Sequence, residues 1–89
     1  MMYKEIKVWK RVNKSLAVAY CCFMNMETNK YAVQSADFFR LPIKKEQIDN
    51  FQKQFIELFI DLPIEERCDK WFDSLEDAIR AHDADFDNP

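Results

Sequence analysis

Eighty-nine residues, 48% of them apolar and 15% aromatic, suit one folded domain and are too rich in both classes for a disordered chain. The net charge of -3 names no partner class, but it is unevenly spread: residues 1–14 carry five cations against Glu5, and residues 61–89 carry ten acids against Arg67, Lys70 and Arg80. Glycine is absent, which excludes the P-loop, the dinucleotide fingerprint and the glycine-rich kinase loop.

Residues 3–12 alternate, with Ile6, Val8 and Val12 on one face and Glu5, Lys7, Trp9 and Arg11 on the other, which predicts a half-buried strand. With no glycine available, left-handed turns fall to Asn13, Asn25 and Asn29, and Asn13 is read as the left-handed residue after the first strand. Residues 16–25 are apolar on both faces, the mark of a central strand. The basic start and apolar run outline a secretory signal. The alternating pattern, the lack of a small-x-small cleavage site and Tyr20 ahead of Cys21 and Cys22 argue against one, and the apolar run is too short to span a bilayer as a helix. The expected address is therefore cytoplasmic, with reduced thiols.

A turn at 26–30 leads to a returning strand at 31–36, which completes a three-stranded antiparallel meander. Residues 35–41 fit either an extension of that strand or a helical turn, and Pro42 blocks a regular strand centre. From Lys44 the apolar period lengthens: Ile48, Phe51, Phe55, Leu58, Phe59 and Leu62 share one stripe, predicting a first helix over 44–61 that Pro63 ends. Residues 55–62 also fit a strand, but length and the polar lead-in favour a helix. Residues 66–72 read as a short extended segment. Ser74 then opens a capping-box pattern with Asp77, and Leu75, Ala78, Ile79, His82 and Phe86 form the buried stripe of a second helix over 75–85. Asp83, Asp85 and Asp87 oppose its dipole, so a frayed acidic tail is expected from about residue 84.

Strands followed by helices give an α+β fold, read here as two layers with both helices on one face of the sheet, in a single domain over 1–89. The other face would then hold Trp9 and an apolar row in need of cover.

No catalytic constellation stands out, and no cofactor is implied. Cys21 and Cys22 are strand neighbours facing opposite ways, and small buried side chains suit them. Cys21, Cys22, Cys68 and His82 together have the composition of a zinc site without its knuckle spacing, so no metal is expected. His82 is the only histidine, and no serine or cysteine sits in a nucleophile-elbow sequence that would use it. Asp83, Asp85 and Asp87 resemble the start of a calcium loop but lack its glycine and closing glutamate.

The composition supports a non-enzymatic protein–protein interaction module, expected as a homodimer, with Trp9, Lys7, Arg11, Ile56 and Ile60 as contact residues. Two alternatives follow from charge: an acidic inhibitor or immunity-type protein that covers a basic partner with its C-terminal acids, and a nucleic-acid-binding module using Lys7, Trp9 and Arg11. No membrane association is expected.

Overall fold

A computed structural model describes residues 1–68 and 70–87, with Phe86 and Asp87 as backbone only. Its elements are β1 (Tyr3–Asn13), β2 (Leu16–Asn25), β3 (Lys30–Arg40), α1 (Lys45–Asp61), α2 (Ile64–Arg67) and α3 (Leu75–Asp87). The strands form an antiparallel sheet in the order β1-β2-β3. This is the expected α+β order, with the two-faced apolar strand at the centre.

The hairpin turns depend on asparagine, but not as the sequence suggests for Asn13. Only Asn29, with φ 58°, is left-handed among the described residues. Asn13 and Asn25 work through their side chains instead: Asn13 Oδ1 accepts from the Ser15 amide at 2.9 Å, and Asn25 Oδ1 from the Glu27 amide at 2.9 Å. An Asx turn satisfies the loop amides without a left-handed residue. Val12 is the extra residue where the β1–β2 register shifts, which moves it out of the Ile6–Val8 row.

β3 runs to Arg40, so residues 35–40 extend the strand. It contains a bulge, with Cys21 opposite Ser35 and Cys22 opposite Val33, which leaves Gln34 unpaired in the ladder. Gln34 is buried, and its Nε2 donates to the Phe55 carbonyl in α1 at 3.2 Å.

The helices lie on opposite faces of the sheet, not on one. Val18, Tyr20 and Cys22 pack with Ala78, Leu75 and Ile79 of α3. Phe23 and Ala32, from the other side, pack with Ile64 and Phe55. The physical reason lies in β2: both of its rows are apolar, and both need cover. The α1 stripe supplies it through rings, with Phe51 against Phe39 at 5.2 Å, Phe55 against Phe23 at 5.5 Å and Phe59 against Phe23 at 5.0 Å. Residues 55–61 are helical, and no residue of α1 is fully buried.

Of the segment read as extended, Glu66 and Arg67 instead close the helical turn α2, and its far end joins the sheet. Phe72 forms an isolated antiparallel bridge to Tyr31, with both backbone hydrogen bonds made at 2.7 and 2.8 Å. Trp71 stacks on Tyr3 at 5.7 Å, while Phe72 joins the α3-side cluster. At Ser74, half of the capping box forms: Oγ accepts from the Asp77 amide at 3.1 Å, and the Asp77 carboxylate turns to Arg80 at 3.2 Å. The α3 backbone continues to Asp87. The Tyr20 hydroxyl donates to Asp83 at 3.0 Å, and the His82 ring sits edge-on to Tyr20 at 6.0 Å, which ties the late turns to the sheet. The expected burial of Phe86 lies outside the described side chains. No helix among the described residues is long and apolar enough to cross a membrane.

Candidate functional site: an apolar groove with a cationic rim

The α1 side of the sheet is laddered in rungs. Arg11, Ala17 and Phe39 form one, and Trp9, Ala19 and Asp37 form the next. The central strand offers only methyl groups on both rungs, between bulky neighbours on either side. Partners in a ladder share a face, so small residues at i and i+2 of the middle strand make a trough. α1 covers the sheet around Cys21 and Phe23, but its first turn leaves the Ala17 end open.

There the trough widens into a groove of about 480 Å³. Leu16, Leu41, Ile43 and Ile48 supply an aliphatic lining, with Trp9 and Phe39 in tilted contact at 5.4 Å beside them. Trp9 remains 58% exposed and Leu41 59%. The Leu41 amide donates to the Ser15 carbonyl at 2.8 Å, which holds the chain leaving β3 against the β1–β2 turn and closes that end. Lys7, Arg11 and Lys14 complete the rim, and none of the lining residues is an acid.

Of the sequence-derived contact residues, Lys7, Trp9 and Arg11 therefore come together here. Ile56 and Ile60 do not line the groove; they are one turn apart on the exposed side of α1, with Ile60 68% exposed. Lys14, Phe39, Leu41, Ile43 and Ile48 escape a sequence reading that treats each segment separately. The available signals were the Ala17–Ala19 pair in a central strand and two large aliphatics flanking Pro42 in a connection.

Beneath the start of α1, the Cys21 thiol donates to Asp37 Oδ2 at 3.6 Å. Burial raises the Asp37 carboxyl above the ordinary aspartate range, and the Cys21 hydrogen bond and the Lys7 charge only partly offset it. The folded chain thus holds this proton more tightly than the unfolded one. The associated stability is fully present below the ordinary aspartate pKa and is lost as pH rises through the folded value. Asp37→Asn, neutral throughout, should match wild type in acid and exceed it in thermal midpoint above that window. Midpoints measured from acid to neutral pH check this; a constant offset, or a less stable Asn variant at neutrality, would refute it.

The four candidate metal ligands are not assembled. Cys21 and Cys22 face opposite sides of the sheet, whereas Cys68 and His82 line a separate cleft of about 310 Å³ beside α3. Burial pushes the Cys22 thiol up to about 12 and raises Cys21 as well, so both stay protonated at neutral pH and are poor ligands and nucleophiles. Among the described residues, no three His, Cys, Asp or Glu side chains gather to hold a metal ion.

Compared with known protein families, curated proteins and solved structures, the chain matches none.

Proposed function

We propose that the protein acts by binding another protein, without chemistry of its own, and that the groove beside Trp9 is its contact surface. The observation that carries this reading is an open, largely apolar concavity on a small domain, rimmed by charge. The packing elsewhere agrees with a binding role. The only histidine rests against Tyr20 under α3, and the strand thiols are buried and protonated.

A nucleic-acid reading draws on Lys7, Trp9 and Arg11, but the groove favours protein. Single strands bind through stacked bases on aromatic faces. Here the apolar part of the lining is mostly aliphatic, and Trp9 already leans on Phe39. Self-association through the sheet edge is also less favoured than a foreign partner. β1 forms one of the two edges and carries Lys4, Lys7, Lys10 and Arg11 against Glu5, so two copies pairing along β1, the edge beside the groove, would oppose like charges.

A photo-crosslinking residue placed at Trp9 in cells that make the protein tests the proposal. A discrete protein adduct is expected that disappears in Ile48→Glu and is absent when the crosslinker sits at exposed Glu66. No adduct, or the same adducts from both positions, would overturn it.

A further inference from the structure

We propose that the groove's occupant is an acidic segment of another protein, which seats one bulky apolar side chain beside Trp9 and Ile48 and sets flanking carboxylates against the rim cations. This rests on the groove being a protein-binding surface and specifies the chemistry of what fills it.

The first argument is charge. The chain as a whole is acidic, yet the groove lining holds Lys7, Arg11 and Lys14 and no acid. An imbalance of this sign, opposite to that of the whole molecule, selects an anionic partner and speeds its encounter. The second argument is spacing. Lys7 and Arg11 lie four residues apart on one strand face, roughly 13 Å along it, and Lys14 follows in the turn. Cations strung along a line suit a chain with several carboxylates better than a single anionic headgroup, which would need them to converge. The third is the lining itself. The aliphatic side chains of Leu16, Leu41 and Ile48 gain by removing a Leu, Phe or Trp side chain from water and offer nothing specific to a base.

The acidic C-terminal helix does not reach the groove, and Asp37, the acid next to Lys7, is turned under α1 toward Cys21 and is not part of the lining. Glu76, Asp77, Asp83 and Asp85 belong to α3, on the opposite face of the sheet. The edge occupied by β1 adds a route for a partner in extended form. The ladder's outer side continues the groove wall, and the edge cations that oppose self-pairing favour an acidic strand.

The test selects binders to the full chain from a random peptide library. Fluorescence anisotropy then measures them against wild type, Arg11→Glu/Lys14→Glu, Ile48→Glu and Ala17→Leu. The last variant fills the trough while keeping every charge. Acidic peptides built around a Trp, Phe or Leu are expected. Their affinity should fall by about tenfold or more in the double charge reversal, fall also in Ala17→Leu, and weaken with salt. Neutral or basic peptides that bind wild type and are lost in Ile48→Glu would overturn the acidic occupant while leaving the groove a protein site. If no selected peptide depends on the groove, both readings fail. Oligothymidine binding abolished by the double reversal would reassign the surface to nucleic acid. A dimer seen by native mass spectrometry and dissociated by the same reversal would reassign it to a second copy.

Discussion

Phe23→Ala is expected to destabilise the protein by about 4 kcal/mol, the largest single loss available on the α1 side of the sheet. Phe23 is 4% exposed, and its ring meets Phe59 at 5.0 Å, Phe55 at 5.5 Å and Tyr3 at 6.2 Å. Removing it empties the point where α1, β1 and β2 meet. No residue of α1 is itself fully buried, and beyond Phe23 the helix is held mainly by Phe51 against Phe39 and the Gln34 hydrogen bond to the Phe55 carbonyl. A domain of this size has only about 5–15 kcal/mol in total, which leaves the variant close to its limit. Denaturant unfolding supplies the magnitude, and limited proteolysis shows where the structure loosens. New cleavage should fall within α1 before the strands are cut. Ile60→Ala, at an exposed position of the same helix, serves as the control and should change stability by no more than about 0.5 kcal/mol. A loss under about 1 kcal/mol in Phe23→Ala would mean that α1 is not anchored through this ring.

That result bears on what the sequence discloses and what it hides. The α1 stripe is legible from its spacing, because Phe51, Phe55 and Phe59 recur at helical intervals and all three meet rings of the sheet. The stripe says that one face of the helix is covered; it does not say which side of the sheet covers it. β2 held the missing information. Val18, Tyr20 and Cys22 alternate with Ala17, Ala19 and Phe23, and a strand apolar on both faces demands a layer on each. Two helices and two bare faces leave one helix for each, whereas packing both on one side would expose Phe23.

The groove was legible in part. Lys7, Trp9 and Arg11 share a strand face by simple alternation, and the structure keeps them together. The opposite wall depends on register. Phe39 stands across from Ala17 only because the Gln34 bulge slips β3 by one residue, and a bulge of this kind has no glycine or proline to announce it. Leu41 and Ile43 flank Pro42 in a connection, where nothing local reveals that the Leu41 amide is tied back to Ser15. The turns show the same divide. Asparagine was the right residue type, but whether backbone or side chain does the turning differs between Asn29 and Asn13.

The second large effect falls on a residue with no periodic signal at all. Ile64→Ala should cost about 3 kcal/mol, within the usual range for truncating a fully buried isoleucine. Ile64 follows Pro63 in the single turn α2, is 0% exposed and packs with Phe23 and Ala32, flanked by Tyr3, Phe55 and Trp71. A four-residue turn contributes little stability of its own. Its position in the fold comes from this side chain, which plugs the gap between the end of α1 and the sheet. Ile64→Val, which removes one methylene, should cost about 1 kcal/mol. A loss near zero for Ile64→Ala would show that the turn does not dock there. Because Ile64 and Phe23 line one cluster, the double variant should lose less than the two single losses combined, since the second truncation enlarges a cavity already opened. Strict additivity, measured by the same denaturant unfolding, would instead mean that the two side chains fill separate spaces and that α2 is held independently of α1.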